Sequence, residues 1–220
     1  SNNTALGYAA GSAVSTGIDN TVLGARAGMV LSDADYNVAV GMGALTADTK
    51  GNRTTAIGTG ALKVQNFTSV TNSDNVAVGY DAGRAIQTAL KQTYMGNFAG
   101  KTQTTGDHNT YIGYDSGSLM TTGAKNTIIG GYNGNGGGLD MRTASNHIIL
   151  SDGDGNPRAR HNSSTWRFSA NDFGSALEFD GSQFYPLEDN AIKNGHPSNR
   201  WTVVYATTGA INTSDQELKQ

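Results

Sequence analysis

Along the first 130 residues the apolar positions come in very short runs, each closed by a glycine. The runs are Thr4-Ala5-Leu6-Gly7, Thr21-Val22-Leu23-Gly24, Val38-Ala39-Val40-Gly41 and Thr55-Ala56-Ile57-Gly58, then Val76-Ala77-Val78-Gly79, Thr93-Tyr94-Met95-Gly96, Thr110-Tyr111-Ile112-Gly113 and Thr127-Ile128-Ile129-Gly130. The glycines are 17, 17, 17, 21, 17, 17 and 17 residues apart. A period of this length, shorter than a hairpin pair plus its loops, marks a stacked-repeat architecture. Three residues before the last apolar position stands Asn3, Asn20, Asn37, Asn75, Asn109 or Asn126. Three after the glycine stands Ala10, Ala27, Ala44, Ala61, Ala82, Ala99 or Ser116, and the next residue is glycine except at Leu45 and Leu62. Each copy therefore predicts one short strand, a tight glycine corner, a segment of small residues and a second turn.

Alternate side chains of a strand face opposite ways. With Leu6, Leu23, Val40, Ile57, Val78, Met95, Ile112 and Ile129 facing inward, stacking lines them into one apolar ladder, the expected repeat core. One 17-residue copy cannot bury such a ladder, so its neighbours must stack on it. At about 4.8 Å per strand, eight copies give a rod roughly 40 Å long. The longer interval predicts a bulged loop around Phe67 to Asp74. Residues 84–91 have helix-like apolar spacing but lie inside a regular interval, so a turn variant is expected, with a short helix as the alternative.

Composition agrees with this reading. Of 220 residues, 30 are Gly, 21 Asn and 25 Thr, all poor helix formers, which excludes a helical bundle. Charged residues are 15% and Pro only 3, unlike a disordered chain. Net charge is −3 with no cluster of Lys and Arg, so a nucleic-acid partner is not expected. No long apolar run predicts membrane insertion. The absence of cysteine removes disulfides and thiol chemistry.

The motif Asn-Thr-Ala-Leu-Gly-Tyr-x-Ala-Gly, recurring every 17 residues, resembles the head repeats of trimeric autotransporter adhesins, and more closely the related repeats of bacteriophage tail fibres. Over roughly residues 1–135 the resemblance implies a left-handed parallel β-roll (a β-solenoid) with three chains side by side.

The character changes after residue 135. All three Glu, both Trp and all three Pro lie beyond residue 150, and Asn133-Gly-Asn-Gly-Gly-Gly138 reads as a linker. Asn146 to His161 reads as a hairpin with an Asp-Gly turn. Further strands are expected at Trp166–Ser169, Ala176–Phe179 and Gln183–Tyr185. The expected organisation is a repeat β-roll over 1–135, a small β-rich hairpin module over 136–187, a stem over 188–213 and a further domain beginning at 214. Phe184-Tyr185-Pro186, Asp189-Asn190, Arg200-Trp201, Val204-Tyr205-Ala206 and Thr208-Gly209-Ala210-Ile211-Asn212-Thr213-Ser214-Asp215 follow one another in an order that resembles the segment preceding the intramolecular chaperone of phage tail fibres and tailspikes. The resemblance implies chaperone-assisted trimer assembly and self-cleavage at Ser214-Asp215.

Other motifs carry less. Gly96 to Thr102 is one residue short of a phosphate loop and shares its glycines with the repeat. Asp152-Gly-Asp-Gly-Asn156 starts like a calcium loop, but Pro157 and Ser163 occupy positions needing Gly and Glu, and a hairpin turn explains it better. His108, His147, His161 and His196 share no metal-ligand spacing. No carboxylate pair stands out as a glycosidase dyad. Tyr8, Tyr80 and Tyr114 each follow a repeat glycine, where they stack on one another, pack between chains or offer a platform for sugars. No cofactor or metal is expected.

The function expected is a structural and receptor-binding segment of a phage tail fibre. It is non-enzymatic, homotrimeric and carried on the extracellular virion tail, with a bacterial surface glycan or outer-membrane protein as its target. The alternatives are the head of a bacterial trimeric adhesin on the cell surface and a capsule-degrading tailspike.

Overall fold

The computed structural model describes residues 2–169 and 176–186. The expected stem over 188–213 and the expected junction Ser214-Asp215 lie outside these residues. Among the described residues there is no helix. The chain is an all-β solenoid of about nine coils that runs into an antiparallel meander within a single 13-stranded sheet.

Each coil contributes one three-residue strand: Thr4–Leu6, Thr21–Leu23, Val38–Val40, Thr55–Ile57, Val76–Val78, Thr93–Met95, Thr110–Ile112 and Thr127–Ile129. They pair parallel and in register, Leu6 opposite Leu23, Leu23 opposite Val40, and so on to Ile112 opposite Ile129. A ninth strand, Ile148–Ser151, adds parallel to Thr127–Ile129. The sheet thus runs past residue 135 without a break. The glycine tract read as a linker folds instead into a small hairpin, Asn135–Gly136 against Leu139–Asp140, on the side of the last coil.

The glycine corners are set by contact as well as by backbone angle. Gly41 has φ +123°, and a Cβ there would lie 2.6 Å from the backbone of Gly58 in the next coil. No residue with a side chain fits where coils touch backbone to backbone.

The strand faces are the reverse of the expected ones. Leu6, Leu23, Ile57, Met95 and Ile129 are exposed and Val40, Val78 and Ile112 half-buried, so the predicted core ladder lies on the outer face of the single chain. From the second coil on, the inward row is the central residue of each strand: Val22, Ala39, Ala56, Ala77, Tyr94, Tyr111, Ile128 and Ile149, all buried, while Ala5 in the first coil is exposed. The physical reason is lumen width. A coil of this length encloses a narrow interior whose filling is shared between the central strand residue and the residue four after the glycine. Where that second position is Leu45 or Leu62, both fully buried, the nearby strand centres are alanines. At Gly28 the space goes to Val22 and Leu31, and further along tyrosine fills it: a Cβ on Gly100 would lie 2.6 Å from the Tyr94 ring, and one on Gly117 2.6 Å from that of Tyr111. The two rings stack at 5.0 Å with planes 6° apart.

The repeated asparagines form a second inward column. Asn109 illustrates the pattern: its amide Nδ2 donates to Gly123 O at 2.9 Å within its own coil, and its Oδ1 accepts from the backbone N–H of Asn126 in the next, also at 2.9 Å. Asn20, Asn37, Asn75 and Asn126 repeat both bonds. Gln92 takes over one rung with the longer side chain. Each side chain thereby satisfies buried backbone groups that the parallel ladder leaves unpaired.

The one long interval has its own solution. Thr54 stands where Asn is expected, and its hydroxyl meets Ser73 Oγ at 2.7 Å. Gln65 donates to Thr54 Oγ1 and to the buried carboxylate of Asp48, which also accepts from the N–H groups of Gly51 and Phe67. Burial raises the Asp48 carboxyl above the ordinary range against the pull of these bonds. The extra loop adds a short strand, Thr71–Asn72, beside Gly51–Asn52. Residues 84–91 are turn, not helix. Their spacing reflects Ile86 and Ala89, both fully buried in the lumen.

Candidate functional site

After the ninth coil the sheet continues antiparallel through Pro157–His161, Trp166–Ser169, Ala176–Phe179 and Phe184–Pro186. The first turn is the predicted Asp-Gly hairpin. Asp152 Oδ1 accepts from the backbone N–H groups of Asn156 at 2.8 Å and Asp154 at 3.1 Å, and Arg158 Nε reaches its Oδ2 at 3.1 Å. Those bonds, the backbone ones first, hold the Asp152 carboxyl down at about 2. Its lone pairs serve the turn.

Register then assembles a row that no local motif announces. Ile149 lies opposite Arg160, Arg160 opposite Arg167, Arg167 opposite Glu178 and Glu178 opposite Tyr185. This is the inward row of the solenoid, carried on with charged and phenolic side chains. Glu178 is buried, at 5% exposure. Arg167 Nε donates to Glu178 Oε2 in a short ion pair, and the Tyr185 hydroxyl donates to Glu178 Oε1 at 2.9 Å. Burial opposes ionisation of Glu178, but the bonds from Arg167 and Tyr185 outweigh it and leave its carboxyl below the usual range. The same bond to Glu178 raises the Tyr185 phenol. Arg160 is lowered by burial and then by the neighbouring Arg167 cation. Arg160 and Arg167 place two guanidiniums on one face of adjacent strands, with Glu178 opposite Arg167, a concentration of positive charge that attracts anions. The cluster can hold a carboxylate and pass a proton between a phenol and a carboxylate ionised at neutral pH.

The residues singled out from sequence fall in several places. The outward aliphatic row from Leu6 to Ile129 continues through Leu150, Ala159, Phe168, Leu177 and Pro186, so it spans all thirteen strands without a charge. Tyr80 and Tyr114 do not stack on one another. Each meets Phe98 edge-on, at 5.4 and 5.9 Å, and Lys101 Nζ sits 4.7 Å from the centre of the Phe98 ring. Phe98 escaped notice because it occupies the corner position after Asn97 with φ 63°, a place that composition assigns to turn residues. In the loop resembling a phosphate site, Lys101 is committed to that ring and Thr102 Oγ1 donates to Ser118 O at 2.7 Å. His147 Nδ1 pairs with Ser145 O at 2.8 Å, and His161 packs on Trp166 at 4.9 Å. His108 is an exposed turn residue, and His196 lies outside the described residues. No group of three or more potential metal ligands occurs among the described residues.

A family model described as the catalytic domain of bacteriophage endosialidase matches residues 142–213, about a third of the chain. The match contains the whole row from Arg160 to Tyr185. It does not reach the adhesin-like repeats before residue 142 or the expected chaperone start after residue 213. No curated protein and no solved structure matches the chain. The match and the solenoid together support a phage tail protein, on the extracellular virion tail. No helix among the described residues is long and apolar enough to cross a membrane. The expectation of a non-enzymatic fibre is overturned: the family matched is a catalytic domain. A pair of carboxylates is the signal a glycosidase ordinarily leaves in sequence, whereas this site offers one carboxylate, one phenol and two guanidiniums.

Proposed function

We propose that this chain is part of a phage tailspike that binds and hydrolyses a sialic-acid-containing or similarly carboxylated polysaccharide on the bacterial surface. The observation that carries the reading is the Arg160, Arg167, Glu178, Tyr185 row inside the segment matching an endosialidase catalytic domain. Arg160 and Arg167 hold the sugar carboxylate. As the Tyr185 oxygen attacks the anomeric carbon its proton passes to Glu178, the glycosidic C–O bond breaks, and Glu178 hands that proton to the departing sugar oxygen, a pairing that suits a glycoside whose anomeric centre already carries a negative group. Water then attacks the anomeric carbon, the bond to the Tyr185 oxygen breaks, and one proton of the water returns to the phenol by way of Glu178.

The chain acts as a homotrimer in this reading. The uncharged outer row, about 60 Å long at the spacing of stacked strands, has one side chain per rung. A second copy has the same period and the same length, so it can cover every rung. Leu6, Leu23, Ile57, Met95, Ile129, Leu150 and Phe168 are exposed along it, and apolar exposure of this extent marks an association surface. Maturation by cleavage at Ser214-Asp215, once a downstream chaperone has assembled three chains, belongs to the same reading.

The test is release of reducing sugar from polysialic acid by the purified chain, compared with Tyr185→Phe and Glu178→Gln. Each variant is expected to lose at least about 100-fold in rate, the usual scale for removing a nucleophile or its base. A wild-type chain without turnover, or a Tyr185→Phe chain with full turnover, contradicts the assignment.

A further inference from the structure

At the corners of the first five coils, beginning two residues past the outward aliphatic row, lies an open groove of about 520 Å³. Its residues come from three repeat positions. The residue after the corner glycine gives Tyr8, Ala25, Met42, Thr59 and Tyr80. The next gives Arg26, Gly43, Gly60 and Asp81, and the fifth gives Thr46, Lys63 and Arg84. The two tyrosines therefore stand four coils apart, about 19 Å at the spacing of stacked strands. Between them the floor is small, because glycine at 43 and 60 takes the same left-handed backbone that Arg26 and Asp81 adopt with side chains.

The charge here differs from that of the chain as a whole, which is net negative. Arg26, Lys63 and Arg84 face a single acid, Asp81, and that acid lies 3.8 Å from Arg84. Among the described residues no carboxylate is within ion-pair distance of Arg26 or Lys63, and both are exposed. Tyr80 is held by Phe98 edge-on and by its own N–H bonded to Asn97 Oδ1 at 2.8 Å, so its ring is a fixed platform. Thr46 and Thr59 add hydroxyls to the groove. Two spaced rings, two uncommitted cations and a floor with room for a chain suit a polymer of acidic sugars. A nucleic acid is not favoured, because the chain is net negative and has no run of clustered Lys and Arg along which a phosphate backbone could track.

We propose that this groove is a non-catalytic binding site for a carboxylated polysaccharide. The polymer lies along the coils, with sugar faces on Tyr8 and Tyr80 and carboxylates on Arg26 and Lys63. The choice of an acidic polymer rests on the function proposed above. The groove would hold the same polymer that the Arg160–Tyr185 row cuts, adding avidity to an attachment in which each contact is weak.

The test titrates the full chain carrying Tyr185→Phe, which suppresses turnover, with fluorescent oligosialic acid. Neutral dextran and a single-stranded oligodeoxynucleotide serve as comparisons. Adding Arg26→Asn with Lys63→Gln is expected to weaken oligosialic acid binding about tenfold or more, each lost charge-assisted contact contributing. Adding Gly43→Asn instead, which fills the floor with a residue tolerant of its φ of +66°, is expected to weaken it by a similar factor. Binding should also fall as salt rises. Unchanged affinity in both variants overturns the proposal, as does equal binding of dextran or of the oligonucleotide. Turnover by chains with Tyr185 intact separates the two claims. Binding at the groove without any hydrolysis contradicts the proposed function and leaves the groove standing. Hydrolysis with affinity unaffected by the groove variants does the opposite.

Discussion

In the solenoid the inward row of the main sheet reads Val22, Ala39, Ala56, Ala77, Tyr94, Tyr111, Ile128 and Ile149; in the meander the same row reads Arg160, Arg167, Glu178 and Tyr185. The outer row stays apolar through both. What differs is what lies beneath. In a coil, the remaining sides of the same turn wrap the inner face, so the strand residues there are uncharged, and the buried carboxylate of Asp48 is held by bonds from Gln65, Gly51 and Phe67. The described meander strands pair antiparallel, and their inner row carries charge that pairs across strands, Arg167 with Glu178. Continuity of one sheet thus places a chemical surface in line with a structural core.

The largest effect that would sharpen this contrast is at the glycines. Gly41→Ala puts a methyl against the Gly58 backbone at a φ foreign to L-residues and is expected to cost about 4 kcal/mol or more. In the meander, Gly181 has φ +93°, but a methyl there would meet nothing within 4 Å, so Gly181→Ala should cost only about 1 kcal/mol. Thermal unfolding followed by far-UV circular dichroism measures both, and equal costs would break the comparison.

Next comes the asparagine column. Asn109→Ala strands the N–H of Asn126 in a buried position and leaves the carbonyl of Gly123 to Gln103 alone, for an expected loss of about 2 kcal/mol. Chemical denaturation should read it as a shifted midpoint.

The two regions should also answer acid differently. Glu178 is depressed below 4.5, so its contribution to stability is fully present above that pH and is lost as pH falls through its lower folded value. Asp152, held at about 2 against 3.8, adds a loss of the same sign between those values. Asp48 in the solenoid has the opposite sign. Its folded value is raised, so its contribution is fully present below 3.8 and is lost as pH rises through the higher folded value. The smallest expected effect follows. Asp48→Asn should remove that part of the pH dependence, leaving a variant whose melting temperature falls less than the wild type's between mildly acid and neutral pH.

Glycine spacing made the coils, their number to within one and the asparagine column legible from the chain alone. Strand polarity was not, for a physical reason. In Thr-Ala-Leu or Val-Ala-Val every residue is compatible with either face, and a one-residue change of phase inverts the core. Choosing the largest aliphatic residue for the interior failed because the lumen is narrow, taking alanine beside Leu45 and Leu62 and tyrosine only where Gly100 and Gly117 make room. The hairpin at Asp152 was readable from its Asp-Gly turn. The row from Arg160 to Tyr185 was not, since its members are 7, 11 and 7 residues apart and meet only through the register of three successive strand pairings.

The association proposed for the outer row depends on that row being covered over its whole length by identical chains. Sedimentation equilibrium of the chain measures this most directly, with Ile57→Asp in the solenoid and Phe168→Asp in the meander as companions. The expected result is three times the 22.9 kDa chain mass, lost in both variants. A folded, monodisperse monomer of the wild type, stable with Leu6, Met95 and Phe168 in water, would contradict it.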